Sequence, residues 1–234
     1  MVAGTAQGLL LVDKPSGVTS HDVVDACRRT YGERSIGHLG TLDPFATGLL
    51  VLLFGRATRL ATFIDGDPKV YDATVQFGSE TDTDDLTGIA GRTAPLPSAD
   101  AITGALPALT GELEQIPPAY SAKHVAGSGG RAYVAARRGE PVTLPSSRVT
   151  VYRWDIRAMR DDAVDVTVTC GTGTYIRALA RDLGRATGSA AHLVALRRTR
   201  VGAFDVAQAH TLPDIMGSDT PPPIRALRVV ADDE

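Results

Sequence analysis

The chain has 234 residues, a formal charge of −3, a pI near 6.0 and 43% hydrophobic residues, a composition that can bury one large core or two small ones. No apolar run approaches the length needed to cross a membrane. No basic segment followed by an apolar core opens the chain, so the expectation is a cytoplasmic protein with no membrane association. The average acidity hides a local excess of base: thirteen arginines and six acidic residues lie between Arg131 and Arg200, while acid collects at 80–85 and at the C-terminus.

In chain order, the apolar run 9–12 reads as a buried strand that ends in Asp13-Lys14-Pro15-Ser16-Gly17. Thr19 and Asp22 have the spacing of a capping box, and Val23, Val24, Cys27 and Tyr31 recur at helical spacing up to Gly32. Residues 37–48 place three glycines, one proline, one histidine and one carboxylate in a dozen positions, which predicts a sharply turned, rigid loop. A buried strand over 48–54 and a short helix over 57–64 follow.

Residues 70–77 alternate as a half-buried strand with Tyr71, Ala73, Val75 and Phe77 on one face. The acidic stretch 79–85 lacks the glycine and glutamate of a calcium loop and reads as a solvated or turn-forming loop. A helix is expected over 98–109, stopped at Thr110-Gly111. Residues 116–142, rich in small, basic and glycine residues, read as an insertion that includes a basic helix over 131–138. Strands are expected at 149–156 and 164–170, then a turn into a helix with Ile176, Leu179 and Leu183 on one face and Arg177 and Arg181 on another. A strand over 192–204 carries Arg197, Arg198 and Arg200, and Thr211 to Asp214 has the spacing to cap one short helix. Strands and helices mixed in this way predict an α+β fold with a mixed, mostly antiparallel central sheet and flanking helices.

Four features could carry chemistry. Asp43 is either a rigidly held nucleophile or base, or simply the turn-former before Pro44. Tyr71 is a core residue by periodicity, although a tyrosine on a strand can also stack on a flat substrate. Arg177 follows a turn at a helix start, where it is either an anion partner or a surface arginine. The arginines of 197–200 suit a phosphate backbone, or else solubilise an edge strand. The histidines at 21, 38, 124, 192 and 210 and the cysteines at 27 and 170 show no metal-ligand spacing, so no metal is expected and the cysteines read as reduced core thiols. No phosphate-binding or dinucleotide-binding glycine motif is found, nor a serine nucleophile elbow.

Taken together, the motifs are more specific than composition. Gly37-His38-Leu39-Gly40-Thr41-Leu42-Asp43-Pro44, with Ala46-Thr47-Gly48-Leu49-Leu50 behind it, resembles the catalytic motif of the bacterial tRNA pseudouridine-55 synthases, the TruB family. Leu11 to Gly17 with Thr19 to Asp22 resembles that family's opening motif. Lys69-Val70-Tyr71 resembles its active-site tyrosine strand, Thr81 to Asp84 its next loop, and Gln115 to Lys123 the start of its RNA-gripping insertion. Gly173-Thr174-Tyr175-Ile176-Arg177 and Leu196-Arg197-Arg198-Thr199 complete the set across about residues 8 to 204.

The resemblance implies a pseudouridine synthase fold over 1–211, an insertion at about 112–146 and a short C-terminal tail over 212–234. The activity it implies is isomerisation of uridine 55 in the T-loop of tRNA, by base flipping and an aspartate nucleophile. Asp43 would be that nucleophile, attacking either the sugar or the base. Arg177 would pair with it, and Tyr71 would stack on the flipped base and serve in proton transfer. Tyr175 and Leu196 would line the pocket, His38 would hold the T-loop open and Lys14 would support the site. No cofactor is implied, and the partner is the T-arm of tRNA, with no protein partner and a monomeric enzyme. Guide-RNA-directed relatives of the same fold lack the insertion and fit less well.

The chain departs from the family at Leu39, where a small residue or threonine is usual, and the short acidic tail leads to the expectation of no full C-terminal RNA-binding domain. Two further readings compete: an RNA chaperone that binds the T-arm without catalysis, and a carboxylate glycosidase, for which no matched second acid is evident.

Overall fold

The computed structural model describes residues 7–64, 66–121, 132, 138, 144–218 and 220–226. Lys123, His124, most of the expected basic helix and the terminal acidic residues lie outside the described residues. The apolar run forms β1 (Gly8–Lys14), and α1 (Ser20–Tyr31) begins where its cap predicts. The Thr19 hydroxyl accepts the Asp22 N–H at 3.0 Å and the Asp22 carboxylate accepts the Thr19 N–H at 2.8 Å. After β2 (Ile36–His38) and β3 (Thr47–Phe54), the helix expected over 57–64 is instead a 3₁₀ helix, Gly55–Leu60. Phe54 supplies no side-chain cap there, and so short a segment closes more readily through the tighter i to i+3 bonds.

β4 (Lys69–Phe77) buries Tyr71, Ala73, Val75 and Phe77, as the alternation predicts. β5 (Ser79–Thr81) and β6 (Ala90–Thr93) form a small antiparallel pair. α2 (Ala99–Ala105) tightens into a 3₁₀ helix at Leu106–Leu109, ahead of β7 (Gly111–Gln115). β8 (Ser147–Met159) and β9 (Ala163–Cys170) make a long hairpin, followed by α3 (Ile176–Ala186) and β10 (Ala191–Val201). Two short strands, β11 (Phe204–Asp205) and β12 (His210–Thr211), precede α4 (Leu212–Met216), which is capped by Thr211 and Asp214 as predicted.

These elements form two units, Met1–Lys69 with Arg197–Glu234, and Val70–Leu196. In the first, the strand order is β12-β1-β3-β10, with β2 also on β3 and β11 on β10. β1 and β3 are antiparallel from Gly8 against Phe54 to Lys14 against Gly48, whereas β12 on β1 and β10 on β3 are parallel. Both faces of this pair are buried. Leu10, Val12, Leu50, Leu52 and Phe54 meet α1 and Ile215 on one side, and Leu9, Leu11, Leu49, Val51 and Leu53 meet Ala57 and Val201 on the other. Burial on both faces is why 9–12 and 48–54 are continuous apolar runs with no alternation, each large side chain contributing about 1.5–3 kcal/mol. Leu39 packs against the second of these clusters, so the departure at that position enlarges a core contact.

In the second unit the order is β10-β4-β9-β8-β7, and α2 with its 3₁₀ extension packs on α3. β7–β8 and β8–β9 are antiparallel. The result is an α+β protein with a mostly antiparallel sheet. Cys27 and Cys170 are buried free thiols, and burial pushes Cys27 up to about 12.

Candidate active site

The predicted site residues divide between the units: Lys14, His38 and Asp43 in the first, and Tyr71, Tyr175, Arg177 and Leu196 in the second. In the first unit the opening motif cradles the loop 37–48. Ser20, the first residue of α1, brackets Leu42: its hydroxyl accepts the Leu42 N–H at 2.9 Å and donates to the Leu42 carbonyl at 3.1 Å. The Gly17 N–H donates to the Pro44 carbonyl at 2.8 Å, and the Ser16 hydroxyl to the Phe45 carbonyl at 3.0 Å. Asp43 sits between these anchors, half-buried, with its own carbonyl accepting the Ala46 N–H at 3.1 Å to close a turn. Asp43 therefore does form a turn, as its position before Pro44 predicts, while its carboxylate is presented from a fixed backbone.

Lys14, at the end of β1, is fully buried, and its ammonium donates to the carbonyls of Val18 (2.8 Å), Pro15 (2.9 Å) and Pro44 (3.3 Å). Burial brings its pKa down from 10.5 to about 8, against the opposing pull of the Asp43 carboxylate. His38, at the end of β2, is half-buried and meets His21 edge-on at a ring separation of 6.4 Å. Burial first, then His21 and Arg198, hold its imidazole below the usual range, and its buried Nδ1 meets no hydrogen-bond partner among the described residues.

Among the arginines of β10, Arg198 departs from expectation. Arg198 is 1% exposed, too deep to meet a phosphate. Its Nε donates to the Leu49 carbonyl at 2.8 Å, its Nη2 to Gly40 at 3.1 Å and its Nη1 to Thr41 at 3.4 Å. Arg197 makes a bidentate pair with Asp13 at 3.0 and 2.7 Å, and Arg200 donates to the Gly202 carbonyl at 2.9 Å. Arg198 is thus tied into the first unit, whereas Arg197 is partly exposed and Arg200 exposed.

In the second unit Tyr71 is 7% exposed on the inner face of β4, and Leu196 is buried on β10. Tyr175 is the residue preceding α3, and its backbone is held by the buried Gln115 of β7. The Gln115 amide accepts the Tyr175 N–H at 2.8 Å and donates to its carbonyl at 3.1 Å, so a side chain stands in for a strand partner. Arg177, in the first turn of α3, is 4% exposed and therefore not a surface arginine. It donates to the carbonyls of Thr83 (2.7 Å) and Tyr120 (2.9 Å) and lies 3.5 Å from the Asp85 carboxylate.

The acidic stretch 79–85 makes a turn, the Asp84 N–H donating to the Thr81 carbonyl at 3.1 Å, but Glu80, Asp84 and Asp85 are buried rather than solvated. Arginines at four-residue intervals along α3 each meet one of its acids: Arg177 meets Asp85, Arg181 meets Asp84 at 2.8 Å, and Arg185 meets Glu80 at 2.7 Å. Glu80 also takes Arg92 at 2.9 Å. Arg185 first, then Arg92, hold the Glu80 carboxyl below its usual value against burial. At Asp84 burial prevails over Arg181 and raises the carboxyl to about 6. Glu80, Asp84, Asp85, Gln115 and Ser20 lie in stretches that the sequence marks, but none has an individual role assigned from sequence. The usable signal was the match between acids concentrated at 80–85 and arginines four apart at 177, 181 and 185.

The chain matches two family sequence models: the N-terminal domain of the TruB family pseudouridylate synthases over residues 28–176, and the C-terminal domain of tRNA pseudouridylate synthase B over 177–220. It is 50% identical to tRNA pseudouridine synthase B of Arthrobacter sp. (strain FB24), over 89% of this chain and 70% of the relative. To that of Leifsonia xyli it is 52% identical, over 88% and 70%. Among solved structures it resembles an H/ACA ribonucleoprotein bound to a substrate RNA containing 2′-deoxyuridine, with TM-score 0.67 and 26% identity, over 90% of this chain and 52% of that one. A Cbf5–Nop10–Gar1 complex is similar at TM-score 0.67 and 28% identity, over 90% and 54%. The chain thus spans about half the length of these structural relatives. Sequence models running from Arg28 to Thr220 and relatives half identical along nearly its whole length agree: the chain belongs to the TruB family of pseudouridylate synthases.

Proposed function

We propose that this protein is a stand-alone tRNA pseudouridine synthase that isomerises uridine 55 of the T-loop, with Asp43 as its nucleophile. The observation that carries the reading is the scaffold around Asp43: neighbouring backbone is held by Lys14, Gly17, Ser20 and Arg198, so the carboxylate is fixed before substrate arrives. The reaction breaks the bond between ribose C1′ and base N1, turns the base and joins C1′ to C5. The proton on C5 is lost and N1 gains one, so the nucleotide keeps its composition and needs no oxidant, reductant or cofactor.

A uridine stacked in the T-loop must first be extruded, at a few kcal/mol that RNA contacts elsewhere must supply. His38 holds the loop open, and the insertion at about 112–146 grips the T-arm. Tyr71 stacks on the flipped base and serves in proton transfer, while Tyr175 and Leu196 border it. Arg177 stabilises the ionised nucleophile, a role suited to a guanidinium held rigidly by backbone carbonyls. Lys14 supports the loop. The enzyme acts as a monomer in the cytoplasm.

The test uses unmodified tRNA incubated with wild type or with Asp43→Asn, pseudouridine then being mapped by chemical reactivity and reverse transcription. Product at the T-loop uridine is expected from wild type alone, with tRNA binding retained in the variant. Binding without product from either protein would favour an RNA chaperone.

A further inference from the structure

We propose that Arg198 is a positioning residue for Asp43: its buried guanidinium ties together the two ends of the nucleophile's loop. The proposal rests on the reading of Asp43 given above. Arg198 and Lys14 are the largest fully buried side chains among the described residues. A guanidinium withdrawn from water needs its N–H groups satisfied, and the acceptors found here are main-chain carbonyls of one loop. Gly40 and Thr41 lie where the chain enters the Asp43 turn, and Leu49 lies where it leaves. A planar fork with five N–H groups can span the two arms, whereas a lysine offers one point of attachment.

The backbone of Arg198 takes part as well. In the parallel pairing of β10 with β3, Arg198 lies opposite Gly48. Gly48 has φ +102°, and a Cβ there would collide with the Arg198 carbonyl oxygen. On the entering arm, Gly40 has φ +83°, and a Cβ would come within 3.5 Å of Arg198 Nη1 and 3.3 Å of Lys69 Nζ. The glycines flanking Asp43 are therefore the places where the loop closes on Arg198. From the opposite side Lys14 holds Pro44 and Ser20 holds Leu42. Without Arg198 those contacts would still fix 42–44 and β1 would still hold Gly48 and Leu49, but Gly40 and Thr41 on the entering arm would lose their tie to the exit at Leu49.

The experiment compares full-length Arg198→Met and Arg198→Lys with wild type. It measures amide hydrogen exchange over 39–49, the unfolding midpoint, tRNA Kd as a function of salt, and the single-turnover rate at saturating tRNA. Exchange at Leu39 and Ala46 is expected to accelerate in both variants, while Leu42, held by Ser20, stays protected. The saturated rate should fall about 100-fold in Arg198→Met and recover about tenfold in Arg198→Lys, the scale of a displacement near 1 Å at a reacting group. Kd and its salt slope should stay within about twofold of wild type. A salt slope reduced by about one with the saturated rate unchanged would make Arg198 a phosphate contact and overturn the proposal. So would changes no larger than those of a core variant, Leu10→Ala, compared at equal distance from its unfolding midpoint. If Arg198→Met does not fold, Arg198→Lys carries the comparison. A wild type that forms no pseudouridine refutes the functional reading, while unchanged exchange over 39–49 refutes the clamp, so the two failures are distinct.

Discussion

Lys14 is a cation that the fold strips of water and partly repays with three carbonyls and the nearby charge of Asp43. Its pKa of about 8, against 10.5 in the ordinary case, means that folding disfavours its charged form. The contribution of such a group to stability is full above pH 10.5 and is lost as pH falls through about 8. Wild type should therefore lose roughly 3 kcal/mol of unfolding free energy relative to Lys14→Met as pH falls across that range, measured by denaturant titration at several pH values. A gap that stays flat would show that the ammonium is better solvated than its burial implies. The sequence marked Lys14 and Asp43 through their motifs. It could not show that Lys14 reaches Pro44, thirty residues on, because that contact is made by the return of β3 alongside β1.

At the scale of elements, the ladder between α3 and the acidic loop organises the second unit. The arginines lie on one helix face because four residues make about one turn, and their acids lie in one loop because Glu80, Asp84 and Asp85 are close in sequence. Glu80 is the rung most open to test. Its carboxyl is held below 4.5, so its contribution is present above that value and lost as pH falls through the folded pKa. Glu80→Gln should cost about 1 kcal/mol near neutral pH, a modest figure because Arg92 and Arg185 are half exposed, with the difference closing in acid. An equal loss at low and neutral pH would show that shape, not charge, matters at this position. The sequence left a solvated or a turn-forming loop open; the turn is made, and only the facing helix supplies the arginines that let its acids be buried.

At the scale of the whole molecule, the first unit is closed by its C-terminal residues. Leu9 and Arg225 exchange backbone hydrogen bonds at 2.9 Å each way, and the Tyr31 hydroxyl donates to the Pro222 carbonyl at 2.7 Å. Ile215 of α4 is completely buried among Leu10, Val23 and Leu52. Ile215→Ala should destabilise the protein by about 2–4 kcal/mol in thermal or denaturant unfolding. A loss under about 1 kcal/mol would mean that α4 is docked only loosely on the core. Residues this far apart in the chain cannot be paired by local propensity; their contacts exist only once β1 and β3 have formed a surface to receive them.

The sequence by itself determined the elements and the family. Local periodicity placed β1, α1, β3, β4 and β9, the capping residues placed the starts of α1 and α4, and the loop 37–48 with its companion motifs identified the chemistry sought at Asp43. Those signals are legible because they depend on neighbours within one or two turns of chain. Tertiary structure alone decided what the charged side chains do. Arg198, read along the strand, is one of a row of cations suited to a phosphate backbone; in the fold it is buried and donates to carbonyls on both sides of Asp43. Alternation along a strand gives two faces without saying which is turned inward, and that choice is made by the strand laid beside it.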